Sequence, residues 1–220
     1  SLISKSFFMK KLAILSLSVL ASTASFGALA SNFYVQLMED TDSGLSTKDA
    51  VTSVSTPTLK FKARRDSVFN YTLENKTTGD STADSVLLPR FTSTRIIKFP
   101  YLADGKYEMT YRNSNYGPET KTLNFVIDTS VDAYKVEHRV SGNEVIFTSK
   151  VEPDSLFEVS YYPDNSSMDQ VGALATSDSN DGYVSVTLPF IKNELTYTVT
   201  YRVTDKAGNK KTSTNVLSSL

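Results

Sequence analysis

The sequence contains no cysteine, no tryptophan and a single histidine in 220 residues. Without cysteine the chain cannot form disulfide bonds, so burial of apolar side chains alone must stabilise it. A zinc site would depend on carboxylate ligands, a set that zinc rarely accepts. The histidine, His138, lies in a predicted strand, and the sequence offers no nucleophile motif to pair with it. We therefore expect a protein that is not an enzyme.

Helical periodicity is also missing from the chain after its N-terminal segment. In residues 106–112, Tyr107, Met109 and Tyr111 alternate with polar side chains, which is the pattern of a half-buried strand. Other segments repeat this period of 2 and are rich in β-branched and aromatic residues, as strands are. A parallel α/β fold is excluded because no helical crossovers are present to connect parallel strands. The sequence predicts an all-β fold.

Two short motifs occur twice at nearly the same spacing. Residues 102–112 read LADGKYEMTYR and residues 195–202 read LTYTVTYR, while DSVF begins at residue 66 and DSLF at residue 154. Two markers with a shared spacing indicate tandem homologous units. Strand candidates separated by turns every 8–12 residues or so predict an immunoglobulin-like β-sandwich in each unit. A polar stretch at 128–133 is the predicted boundary, giving a first domain of residues 31–132 and a second of residues 133–220.

The N-terminus has the three parts of a secretory signal peptide. Met9-Lys10-Lys11 precedes an apolar run at 12–20, and the sequence Ala28-Leu29-Ala30 follows. We predict cleavage after Ala30, with residues 1–8 lying upstream of the signal. The apolar run is shorter than the roughly 20 residues of a membrane-spanning helix, although an uncleaved anchor is the alternative. The protein is therefore expected to be secreted, periplasmic or on the cell surface, with no stable membrane span in the mature chain.

The charge balance disfavours nucleic acid as a partner. The full chain carries 23 basic and 24 acidic residues, and the basic residues in 1–30 are Lys5, Lys10 and Lys11. Their removal leaves the mature chain with a net charge of about −4, and a mildly acidic surface repels the phosphate backbone.

Several motifs resemble those of a known family. The stretches at Asp40–Phe61 (DTDSGLSTKDAVTSVSTPTLKF), Leu102–Tyr107 (LADGKY) and Ile127–Ser130 (IDTS) are similar to one repeat of the bacterial immunoglobulin-like (Big) domains. The second unit resembles them through Tyr201–Asn209 (YRVTDKAGN). The resemblance implies the sandwich fold and a place in bacterial surface proteins and adhesins. It does not imply an activity, because such sandwiches host many functions.

Acidic residues form two clusters that suit a hard cation such as calcium, which prefers carboxylate and carbonyl oxygens. One cluster precedes the first core strand and the other flanks the predicted domain boundary. The resemblance implies a comparison with calcium-dependent adhesins, in which ions at such domain boundaries stiffen the array of domains. The alternative is that these acids only cap turns and keep the surface soluble. The candidate metal ligands are Glu39, Asp40, Asp42, Asp128 and Asp132, with Asp49 beside the first cluster.

Two functions fit these observations. The first is a non-enzymatic adhesion, spacer or protein-binding module, whose partner is another protein or a surface glycan. The second is a carbohydrate-binding accessory module, because exposed tyrosines can stack on sugars. Alternation places most tyrosines in the core, and no cofactor is expected other than calcium. The tyrosines considered for a sugar platform are Tyr101, Tyr116, Tyr161, Tyr162 and Tyr183.

Overall fold

The computed structural model describes residues 32–163, 171–189 and 196–218. The predicted signal peptide, its cleavage site after Ala30 and Leu195 of the repeated motif lie outside these ranges. The described residues form fifteen strands and one 3-10 turn, Ser114–Tyr116, so the prediction of an all-β fold is confirmed. Nowhere in these ranges is there a helix of the length and hydropathy that a bilayer span requires.

The strands are numbered in chain order. The first eight are β1 (Tyr34–Leu37), β2 (Val51–Thr52), β3 (Thr58–Lys62), β4 (Ser67–Asn75), β5 (Ser81–Leu88), β6 (Thr94–Lys98), β7 (Gly105–Asn113) and β8 (Thr120–Ile127). The others are β9 (Val136–Ser141), β10 (Glu144–Lys150), β11 (Leu156–Pro163), β12 (Val171–Thr176), β13 (Tyr183–Pro189), β14 (Thr196–Thr204) and β15 (Lys210–Ser218).

These strands form four sheets, two from β1–β8 and two from β9–β15. The first pair of sheets has the orders β1-β3-β6 and β2-β8-β7-β4-β5, and the second pair has the orders β13-β10-β9 and β12-β11-β14-β15. Every ladder is antiparallel except the short pairing of β2 with β8. We call β1–β8 the first sandwich and β9–β15 the second sandwich.

Each sandwich packs its sheets around a separate hydrophobic core. In β7 the side chains of Tyr107, Met109 and Tyr111 are buried, as the alternation predicts. Tyr197 and Tyr201 of β14 are buried in the other core. The two copies of the tyrosine motif therefore lie in different sheets and perform the same packing role.

The second repeated motif also has the same conformation in both sandwiches. Asp66 and Asp154, which begin DSVF and DSLF, have φ angles of 57° and 61°. Aspartate is one of the few residues other than glycine that adopts this left-handed region readily. In each motif the phenylalanine, Phe69 or Phe157, is fully buried.

Candidate functional site

Three carboxylates from separate segments meet where the first sandwich contacts the second. Asp128 follows β8, Glu152 follows β10 and Asp205 follows β14. One carboxylate oxygen of each lies within 4.8 Å of those of the other two, and no other group of this kind occurs in residues 32–163, 171–189 and 196–218. We call Asp128, Glu152 and Asp205 the acidic joint.

Asn209 connects the acidic joint across the two sandwiches. Its backbone N–H and its Nδ2 donate to the two carboxylate oxygens of the buried Asp205, at 2.9 and 2.8 Å. The same Nδ2 also donates to the carbonyl oxygen of Asp128 at 2.8 Å. On the other side, the Asp132 N–H donates to Oε1 of Glu152 at 2.6 Å. These bonds hold the carboxylates of Asp205 and Glu152 in place and tie Asn209 to the backbone of Asp128.

Burial and mutual repulsion make ionisation of the joint unfavourable. Desolvation raises the pKa of Asp128, and repulsion from Asp205, Asp104 and Asp132 raises it further. Desolvation likewise raises the pKa of Glu152, with repulsion from Asp128 and Asp205 added. A bound cation would relieve both effects because it compensates the crowded negative charge.

The donor set of the acidic joint fits calcium. All three ligand groups are carboxylates, the hard oxygen donors that Ca²⁺ takes at roughly 2.3–2.6 Å. Two ligands on opposite sides of such an ion lie about 5 Å apart, which is compatible with the 4.8 Å spread of the three oxygens. Asp128, Glu152 and Asp205 would hold the ion, and its role would be to fix the joint.

Two glycines form a direct backbone contact beside the acidic joint. A Cβ on Gly44 would lie 2.0 Å from the carbonyl oxygen of Lys206, and a Cβ on Gly208 would lie 2.6 Å from the Cα of Gly44. The Ser43 hydroxyl donates to the Ala207 carbonyl at 2.8 Å, and the Leu45 N–H donates to the Lys206 carbonyl at 3.3 Å. We call the approach of Gly44 to Gly208 the glycine contact. It requires that neither position carry a side chain.

The five predicted metal ligands do not come together in one site among the described residues. Asp128 belongs to the acidic joint, and the exposed Asp132 contacts it through its backbone N–H. Glu39 and Asp40 are exposed in the loop after β1. They are not part of any three-carboxylate group among the described residues.

Asp42, the remaining predicted ligand, is buried in the loop between β1 and β2. Only 5% of its surface is exposed, and its Oδ1 has no hydrogen-bond partner among the described residues. Its Oδ2 accepts from the Ala50 N–H at 3.3 Å. Desolvation raises the pKa of Asp42, and repulsion from Asp49 and Glu39 raises it further.

Sequence reasoning missed Glu152, Asp205 and Asn209. Asp205 and Asn209 lie in the stretch YRVTDKAGN, which carries the family resemblance of the second unit but does not by itself indicate a ligand. Glu152 corresponds to no motif, and its position two residues before Asp154 of DSLF was the available signal. The sequence does not show that these segments converge on Asp128.

The tyrosines do not form one sugar platform. Tyr161 is 1% exposed, with its hydroxyl donating to the Pro189 carbonyl, so its assignment to a surface platform is wrong. Tyr116 is half-buried against Phe33, at a ring-centroid distance of 4.8 Å. The exposed tyrosines of the set are Tyr101, Tyr162 and Tyr183.

The histidine has no catalytic surroundings. His138 is exposed on β9, and its ring lies 6.2 Å from the ring of Phe147. Neither a nucleophile nor an acidic partner is hydrogen-bonded to it among the described residues.

Comparison with known proteins identifies a family for the first part of the chain. Residues 29–129 match the family model described as a bacterial Ig-like domain. No curated protein matches the sequence. The resemblance of the first unit to this family is confirmed, and domains of this family are typical of extracellular or surface proteins and are not usually catalytic.

Solved structures with similar folds include proteins of several kinds. A two-domain fibronectin type-III segment of chicken tenascin has 14% identity and a TM-score of 0.32, over 86% of this chain and 98% of that one. The human OSCAR ligand-binding domain has 13% identity and a TM-score of 0.43, over 84% of this chain and 97% of that one. A tetra-tandem repeat from the extending region of a large adhesion protein has 17% identity and a TM-score of 0.38, over 84% of this chain and 48% of that one.

Proposed function

We propose, from the membership of residues 29–129 in the bacterial Ig-like domain family, that the chain is a non-enzymatic spacer and adhesion module. It acts outside the cytoplasm, and its first domain (residues 31–132) and second domain (residues 133–220) work as a pair. Their surfaces bind another protein, and their joint sets the direction in which those surfaces point.

The observation that supports this proposal is the built contact between the sandwiches. A flexible linker would leave the ends of the two sandwiches separately hydrated. Here Asn209 donates to Asp128 across the joint, and Gly44 and Gly208 bring two backbones together. Because backbone atoms and a bridging amide fix the approach, the joint limits rotation of one sandwich against the other. A spacer needs this restriction in order to transmit an orientation.

The proposal is tested by measuring the rotational diffusion of each sandwich separately by NMR relaxation. In the natural protein both sandwiches should tumble with one common correlation time. Asn209→Ala, which removes the bridge to Asp128, should let the two correlation times diverge. The matched control is Asn115→Ala in the corresponding turn of the first sandwich, which should leave them equal. Different correlation times in the natural protein would contradict the spacer proposal.

The adhesion part needs a separate experiment. We expect fractionation of cells that make the protein to recover it from the surface or the medium. The purified protein should bind saturably to the surface of neighbouring or host cells, and protease treatment of those cells should abolish this binding. Recovery in the cytoplasm would contradict the proposal.

A carbohydrate-binding module is the second candidate, because one face of the second sandwich has suitable chemistry. A shallow groove across β12, β11 and β14 is lined by Tyr162, Leu174 and the ion pair of Arg202 with Glu158. An aromatic ring beside polar hydrogen-bonding groups is the usual composition of a sugar subsite. Tyr162→Ser should abolish saturable polysaccharide binding, and Tyr183→Ser, on a strand outside this groove, should not. Equal binding by both variants would exclude the groove.

A further inference from the structure

The first sandwich has a basic corner that the spacer function does not explain. Residues 57–65 and 87–98 contain seven Lys or Arg residues and no Asp or Glu. β3 pairs with β6, so these two segments are neighbours in space. We call residues 57–65 together with residues 87–98 the basic corner. Its seven basic residues are Lys60, Lys62, Arg64, Arg65, Arg90, Arg95 and Lys98.

The charges of the basic corner are not compensated locally. Six of the seven side chains are exposed, and Lys60 is half-buried. In the part of the chain that the structure describes, none of the seven forms an ion pair. The nearest acids along the chain are Asp49, Asp66, Asp84 and Asp104, and none of them lies within either basic segment. The corner therefore presents a concentrated positive charge on a chain that is acidic overall.

Large apolar side chains protrude from the same corner. Phe91 is 87% exposed, Ile96 is 56% exposed and Leu87 is 51% exposed. Phe91 and Arg90 occupy the tip of the β-turn that the Thr92 N–H closes on the Pro89 carbonyl, at 3.1 Å. Soluble surfaces rarely expose large apolar groups together without an interaction to make.

Backbone and side-chain contacts hold these groups in place. The Ala63 N–H donates to the Ser93 carbonyl at 3.0 Å, which places the Phe91 turn beside Arg64 and Arg65. Nη1 of Arg95 donates to the Leu87 carbonyl at 2.9 Å and so joins β6 to β5. The Phe91 ring therefore projects from a hydrogen-bonded turn and is surrounded by cations.

We propose that the basic corner docks the protein on an anionic lipid surface. Phe91 inserts to the upper acyl region, Ile96 and Leu87 flank it at the level of the headgroups, and the cations pair with lipid phosphates. Each basic residue near an anionic bilayer strengthens binding about fivefold, and a buried apolar tip adds the hydrophobic part. A polyanionic glycan would satisfy the cations and could stack on the Phe91 ring, but it would leave the aliphatic Ile96 and Leu87 in water. The three exposed apolar groups together therefore favour lipid.

The test is co-sedimentation of the purified protein with vesicles. We expect binding to vesicles of mixed phosphatidylcholine and phosphatidylglycerol, little binding to pure phosphatidylcholine, and loss at about 1 M salt, where screening acts within about 3 Å. Phe91→Ser should weaken binding about tenfold. Arg64→Gln with Arg65→Gln should weaken it about 25-fold. Because every variant shares the same N-terminus, the differences between variants report only the substituted side chains.

Matched controls lie on the second sandwich. Val216→Ser removes an apolar side chain that is 65% exposed, and Lys210→Gln with Lys211→Gln removes two exposed cations. Both should leave vesicle binding unchanged, and all variants should keep the natural melting temperature. No binding to anionic vesicles, or equal losses in variants and controls, would overturn the proposal. So would binding to an anionic polysaccharide that Phe91→Ser leaves intact, or a dimer that Phe91→Ser dissociates.

Discussion

Corresponding ends of the two sandwiches have opposite character. At the start of β4 and of β11, the shared left-handed Asp66 and Asp154 mark equivalent positions. Two residues earlier, the first sandwich has Arg64 and the second has Glu152. Glu152 belongs to the acidic joint, whereas Arg64 belongs to the basic corner. The two ends share a backbone conformation at these positions but differ in charge, and each charge suits what that end contacts.

The loops beside these positions differ in the same way. In the first sandwich the loop from β5 to β6 reads PRFTS and exposes Phe91. In the second sandwich the loop from β12 to β13 reads SDSNDG, with Asp178 and Asp181 and no cation. The comparison teaches that the end that contacts another sandwich is acidic and hydrophilic, while the end that faces away is basic and apolar.

The largest effect should come from a side chain at the glycine contact. Gly208 and Gly117 occupy corresponding turns with φ of 89° and 65°, but a Cβ on Gly117 meets nothing within 4 Å. Gly117→Ala should cost about 1–2 kcal/mol of unfolding free energy from backbone conformation alone. Gly208→Ala should cost about 3 kcal/mol or more, because its Cβ collides with the Gly44 backbone. Chemical denaturation measures both, and equal losses would show that the contact does not constrain the joint.

The next effect should come from calcium at the acidic joint. At about 100 times its Kd, a bound ion stabilises the folded protein by about 2.7 kcal/mol, equivalent to a rise of about 5–10 °C in Tm for a chain of this size. Asp205→Asn should abolish this rise, and Glu119→Gln at the opposite end should not. Thermal melting with and without a chelator measures it, and an unchanged Tm would rule out the ion.

The pH dependence of the cation-free protein should follow from the raised pKa values of Asp128 and Glu152. The folded state binds protons more tightly than the unfolded state at these groups. Their contribution to stability is therefore complete below the unfolded pKa values and is lost as pH rises through the folded ones. Without calcium, we expect Tm to fall as pH rises above about 4, the ordinary pKa range of these carboxyl groups. Calcium should reduce this slope, and a Tm that rises over this range would contradict the assignment.

The smallest effects should come from Arg64 and Glu152, which occupy equivalent positions in the two sandwiches. Arg64→Gln removes an exposed charge and should change stability by less than about 0.5 kcal/mol. Glu152→Gln keeps an oxygen to accept from the Asp132 N–H but removes one charge from the crowded joint. It should stabilise the cation-free protein by about 1 kcal/mol. Denaturation in chelator measures both, and a loss of stability in Glu152→Gln would show that its charge is not repelled.

The sequence predicted the features that depend on local periodicity. Alternation in β7 and β14 identified the buried faces, and the repeated DSVF and DSLF motifs indicated two homologous units. The acidic joint was only partly predictable, because Glu152 and Asp205 reach Asp128 from distant segments. The basic corner was missed because its two segments are separated in sequence and meet only through the pairing of β3 with β6.

The glycine contact depends on which of the two sandwiches comes first in the chain. The first sandwich supplies Gly44 from the loop between β1 and β2, and the second sandwich supplies Gly208 from the turn between β14 and β15. Recombination that reversed their order in the gene would place the Arg64 end against a partner that lacks these glycines and carboxylates. A chain with the two sandwiches in reversed order should therefore lose both the glycine contact and the acidic joint.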